Sequence, residues 1–151
     1  MRRTILIGAA VALLLALIGG TAWATTADHD RTRTLKFGVE FSPFFLADIG
    51  DQGPSLGDAT IFSDKLLRGG KQVGQQGGSC TIVDVQNAGV NCVGTVKLRD
   101  GQITYQGLVS SDPTKELVVT GGTGAYLGAE GSATLVEFGN EKGSLTLKLR
   151  R

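Results

Sequence analysis

The sequence predicts an all-β domain, a sandwich or a closed barrel, and three observations predict it. Apolar and polar side chains alternate with a two-residue period at both ends of the region that follows the leader. Turn-forming pairs interrupt these runs at short intervals, and Asp-Gly between two alternating runs is a strong hairpin signal. No stretch of ten or more residues beyond position 24 carries a helical stripe of apolar residues; glycine and β-branched residues recur instead. About eight short runs, with one more at the C-terminus, fit the strand spacing of a small sandwich or barrel. Because both ends read as strands, closure into a barrel would remove exposed edges.

The leader comes first. Arg2 and Arg3 precede an almost unbroken apolar run over 5–18, and Ala22-Trp23-Ala24 follows Gly19, Gly20 and Thr21. A charged start, an apolar segment and an A-x-A site read as a signal-peptide helix over 1–24, cut after Ala24. The run is shorter than the roughly 20 residues of a membrane span, so no stable membrane anchor is expected and the product is secreted. A flexible segment, 25–33, then leads into the barrel domain, 34–151.

The first strand is 34–41, where Leu35, Phe37, Val39 and Phe41 alternate with Thr34, Lys36, Gly38 and Glu40. Strands at 57–63, 71–76 and 79–85 follow. In 90–98, Cys92, Gly94, Val96 and Leu98 share one face; "RDG" then turns the chain into 102–109, with Ile103, Tyr105, Gly107 and Val109. After "SDPTKE" comes a strand at 116–120, then 131–138, the turn "GNEKG", and a last strand at 143–150 with Leu145, Leu147 and Leu149.

Cleavage leaves 127 of the 151 residues and removes two arginines and no acid, so the formal charge moves from +1 to −1. A near-neutral chain without a basic block gives no reason to expect nucleic acid as a partner. Both cysteines, Cys80 and Cys92, lie in the exported part, where a disulfide is the expectation; two buried thiols are the other reading. Their positions are not symmetric about Ala88, so a bridge requires a bulge or a displaced turn. His29, the lone histidine, lies in the polar start of the exported part. One histidine and two oxidised cysteines make no metal site, and no Ser–His pair can be assembled in the barrel.

"VTGGTGAYLGA" (119–129) has the look of a dinucleotide-binding turn. Such a turn needs a βαβ unit and a parallel sheet around it. Only 23 residues follow Gly128, and they alternate as strands. No dinucleotide or other cofactor is expected.

Four segments in order carry a resemblance: "GPSLGDATIFSDKLL" (53–67), "VGQQGGSCTI" (73–82), "GQITYQG" (101–107) and "VTGGTGAYLGAEG" (119–131). Together they resemble the allene oxide cyclase family and its bacterial barrel-like relatives, with the dirigent proteins as more distant cousins. The resemblance spans about residues 35–138 and implies an eight-stranded antiparallel up-and-down barrel, often trimeric. A barrel of about eight strands can hold one small ligand, here an apolar molecule that is lipid-derived or aromatic. By the same resemblance, Gly121, Gly122 and Gly124 serve a strand-to-strand crossing that Tyr126 anchors.

The resemblance also nominates site residues. A first-strand glutamate helps steer epoxide opening and ring closure in plant allene oxide cyclases, and Glu40 is the first-strand acid here. Alternation leaves its direction open: if Phe37, Val39 and Phe41 line the cavity, Glu40 points outward. Asp64, in Phe62-Ser63-Asp64, occupies the asparagine position of the family's F-S-N, keeping the acceptors but losing the amide donor. Phe37, Phe62 and Tyr105 are the candidates for ligand contact, with the Tyr105 hydroxyl expected at the rim. Asp58, in L-G-D, reads as a turn cap. Val109 stands where the plant enzymes place a tyrosine. A cyclisation or isomerisation is the implied chemistry, and a secreted barrel that binds without catalysing is the alternative.

Overall fold

A computed structural model describes residues 32–150. The predicted signal peptide and nearly all of the segment 25–33 lie outside them. Nine strands form: β1 (Arg33–Glu40), β2 (Phe45–Ala47), β3 (Ala59–Arg68), β4 (Lys71–Asp84), β5 (Gly89–Leu98), β6 (Gly101–Val109), β7 (Thr114–Gly122), β8 (Glu130–Gly139) and β9 (Lys142–Arg150). One 3₁₀ turn, Gly124–Tyr126, joins β7 to β8.

Each strand from β3 to β9 pairs antiparallel with the next, β1 pairs with β9, and β1 also meets β3. The result is a closed, eight-stranded, up-and-down barrel with β2 lying along the free end of β3. Every barrel strand has both neighbours within residues 33–150, so the hydrogen-bonded wall is complete there.

Alternation sets which side chains face in. On β1, Leu35, Phe37 and Val39 are buried, and on β9 so are Leu145, Leu147 and Leu149. With Leu66, Val96, Ile103 and Val119 they fill one half of the barrel solidly. Burying each such side chain stabilises the fold by about 1.5–3 kcal/mol before its ordering entropy is counted.

The structure redraws the strands in three places, the first being the run 57–63, which is β3 at 59–68 and carries Asp64 in its interior. The runs 71–76 and 79–85 are a single strand, β4, of 14 residues. Gly77-Gly78 reads as a breaker, but here it serves close approach: a Cβ on Gly78 would lie 2.0 Å from the Val93 carbonyl oxygen. β2 was not visible in the sequence, because "SPFFLADIG" breaks alternation. It pairs Phe45 with Ile61 and Ala47 with Ala59.

A Cys80–Cys92 bridge is expected to need a bulge or a displaced turn, and the β4–β5 hairpin has both. Its register shifts between Ile82 and Asp84, and its turn spans 85–88. Cys80 and Cys92 then stand directly opposite, Cα atoms 4.0 Å apart, and are joined by a disulfide. The glycine stretch 121–124 is the crossing expected from the resemblance. Gly124 sits at φ +60 with the Asp100 carbonyl oxygen 2.4 Å from where a Cβ would be, and Tyr126 is buried beside it.

Candidate functional site

The other half of the barrel is open at one end and holds a cavity of about 430 Å³. Strand ends build it: the last turn of β1 into 41–44, the starts of β3, β5, β7 and β9, and the ends of β4, β6 and β8. Its walls are mostly apolar, with Phe41, Phe62, Val109, Leu117 and Leu135 among them, and the Cys80–Cys92 bridge forms one side.

One polar chain crosses the floor. Asp64, Gln76 and Tyr105 are 3%, 1% and 2% exposed, so all three are buried. Gln76 Nε2 donates to Asp64 Oδ2 at 3.0 Å, and the Tyr105 hydroxyl donates to Gln76 Oε1 at 3.1 Å. The Ser42 amide donates to Asp64 Oδ1 at 3.1 Å. Each carboxylate oxygen thus takes one protein donor, and a carboxylate has about four acceptor positions. Asp64 keeps acceptor capacity toward the cavity.

Local sequence explains how these groups arrive. Asp64 and Gln76 are register partners on β3 and β4. Tyr105 faces Gly94 on β5, where a Cβ would lie 2.3 Å from the tyrosine ring, so only glycine lets the ring lie across the floor. Around Ser42 the ladder between β1 and β3 lapses: Glu40 opposes Lys65 and Phe45 opposes Ile61, so four residues face three. Asp64 meets the Ser42 amide in that gap with its side chain. Burial, and secondarily the negative charge of Asp64, pushes the Tyr105 hydroxyl well above the usual tyrosine range, so it remains a donor.

The structure places the predicted residues unevenly. Phe62, Asp64, Tyr105, Cys80 and Cys92 all line the cavity. Glu40 does not. With Phe37 and Val39 inward it points out, half exposed, and pairs with Lys65 at 2.6 Å, which holds its carboxyl below the usual range. Phe37 lies in the filled half, with the Arg68 guanidinium 5.0 Å from its ring, and makes no cavity wall. Tyr105 puts its hydroxyl on the floor rather than the rim. Asp58 is the turn cap, accepting from the Ile49 amide at 2.7 Å and the Ser55 amide at 2.8 Å.

Sequence reading missed Gln76, Ser42 and Lys115. The parity that puts Cys80 inward also puts Gln76 inward, so the signal was present in "VGQQGGSC". Lys115 stands at the mouth, its side chain 13% exposed, 3.6 Å from Glu137 and donating to the Asp112 carbonyl. Among the described residues no three His, Cys, Asp or Glu side chains gather as a metal site.

The sequence profile of the allene oxide cyclase barrel-like domain matches residues 33–147. No curated protein sequence matches the chain. Among solved structures, a pyocyanin demethylase is similar at 32% identity and a TM-score of 0.71, over 78% of this chain and 99% of that one. A pterocarpan synthase dirigent protein shares the fold at 19% identity and a TM-score of 0.61, covering 80% and 83%. A Diels–Alderase from Streptomyces koyangensis does so at 13% and 0.62, covering 83% and 70%.

Proposed function

The chain belongs to the allene oxide cyclase barrel-like family, and on that premise we propose that it takes a small apolar molecule into its one-ended cavity and holds it against Asp64. The observation that carries this reading is a buried carboxylate on the floor of a mostly apolar cavity. Apolar walls fold and orient a flexible or flat ligand, and orientation alone can supply up to about 7–11 kcal/mol in favourable cases. Asp64, fixed by Gln76 and Ser42, stabilises positive charge that develops on the ligand, as in a cyclisation or isomerisation. Tyr105 positions Asp64 through Gln76. The likeness to a protein named for acting on pyocyanin favours an aromatic ligand over a lipid-derived one.

Export fits the same reading. A disulfide in the cavity wall suits an oxidising compartment, and the leader supports secretion with cleavage after Ala24. A homotrimer follows from the family resemblance. The second reading is a carrier that binds without converting. The outward Glu40 and Val109 at the plant tyrosine position favour it.

The test uses the processed chain, residues 25–151, offered aromatic and lipid extracts with pyocyanin as a defined probe. Native mass spectrometry reads retention and oligomeric state, and chromatography reads conversion. Conversion lost in Asp64→Asn with retention kept establishes the catalytic reading. Retention without conversion in the parent makes the protein a carrier. No retention of any apolar compound sinks both.

A further inference from the structure

The two ends of the barrel carry opposite charge. At the filled end, Arg68 and Lys71 flank the β3–β4 turn, and Lys97 and Arg99 sit at the β5–β6 turn. Lys148 and Arg150 finish β9, and Arg33 begins β1. All seven are exposed, and the acids beside them are Asp100 and Glu130. Among the described residues the ion pairs are Lys65–Glu40 and Lys115–Glu137, so none of the seven cations is neutralised by an ion pair. Around the mouth the balance reverses: Asp48, Asp51, Asp84, Asp112, Glu137 and Glu141 outnumber Lys115 and Lys142.

Two further observations give the basic end a partner. Leu127, just past the 3₁₀ turn at that end, is 80% exposed. The described chain also enters the barrel there, through Thr32 and Arg33, so whatever precedes residue 32 is joined to the barrel at this end. We infer that the filled end docks on an anionic lipid surface, with its cations against the headgroups, Leu127 in the interface and the mouth facing away. Each lysine or arginine within a Debye length of such a surface is attracted to it. The acidic mouth is repelled, which fixes the orientation. A soluble polyanion would satisfy the cations but would give the exposed leucine nothing to bury, so lipid is the better match.

The processed chain, whose barrel wall is complete, is sedimented with vesicles of phosphatidylglycerol in phosphatidylcholine, and with phosphatidylcholine alone. The expected result is binding to the anionic vesicles only, abolished in about 1 M salt, where the Debye length is about 3 Å. Lys71→Glu, Lys97→Glu and Arg99→Glu combined should weaken it by at least about tenfold. Asp48→Lys with Asp51→Lys at the mouth should not weaken it. Leu127→Ser should weaken vesicle binding and leave polyphosphate binding unchanged. Equal binding to neutral vesicles, or indifference to the triple reversal, overturns the inference. So does vesicle binding unchanged in Leu127→Ser, which would mean that a generic polyanion suffices. Circular dichroism melts confirm that each variant folds; if the triple does not, Lys71→Glu and Arg99→Glu are read singly.

Discussion

Tyr105 shows how much one side chain carries on the floor of the cavity. Changing it to phenylalanine keeps the ring over Gly94 and leaves Gln76 Oε1 buried without its donor. We expect a loss of about 1–3 kcal/mol in denaturant unfolding. The pH dependence has a definite sign. An unfolded tyrosine ionises near pH 10 while folded Tyr105 stays protonated, so stability falls as pH rises above about 10. In Tyr105→Phe that alkaline slope should shrink by one proton. Asp58 gives the acid-side counterpart. The amides of Ile49 and Ser55 hold its carboxyl below the usual aspartate range. Its contribution is therefore present above about pH 4 and is lost as pH falls through the depressed folded value. Protection factors at those two amides, referenced to the intrinsic exchange rate at each pH, should fall on acidification, and less so in Asp58→Asn, where an uncharged acceptor replaces the carboxylate. At this scale the sequence was half legible: the F-S-N position led to Asp64, whereas Gln76 was legible only through its shared parity with Cys80, across the Gly77-Gly78 pair that splits the run.

Strands were legible wherever alternation ran unbroken, as in β1, β5, β6 and β9. In β2 consecutive apolar residues hid the strand, and in β4 glycine did, because the same residue marks a turn and a close approach of two backbones. Gly78 is of the second kind. Gly78→Ala should destabilise by at least about 2 kcal/mol in denaturant unfolding, since its Cβ has a carbonyl oxygen in its place and the central strand cannot yield locally. The disulfide acts at this scale too. It closes a loop with a sequence separation of 12, and replacing both cysteines with serine should cost up to about 3 kcal/mol on the chain-entropy argument. Equal unfolding midpoints with and without reductant would show that the β4–β5 ladder alone fixes that wall. Glu40 was decidable from its own strand: once Phe37 and Val39 are core, period two sends it out.

For the molecule as a whole, sequence periodicity left sandwich and barrel both open, and only the ordered family segments chose between them. Charge polarity escaped notice because up-and-down topology sends successive turns to opposite ends, interleaving acidic and basic stretches along the chain. A ligand that binds only the closed barrel should raise its stability by about 2.7 kcal/mol at a hundredfold excess over Kd, read as a thermal shift. Asp64→Asn should keep most of that shift if the apolar walls supply the affinity. The pairing of β1 with β9 has a temporal consequence. The first strand meets β3 over only three residues, and its eight-residue ladder is with β9, so the wall cannot close until β9 has been synthesised. Contacts this distant in sequence make for slow folding. A chain held open until β9 has emerged is the form that an unfolded-export route would need, so the barrel's own topology is compatible with the export proposed above.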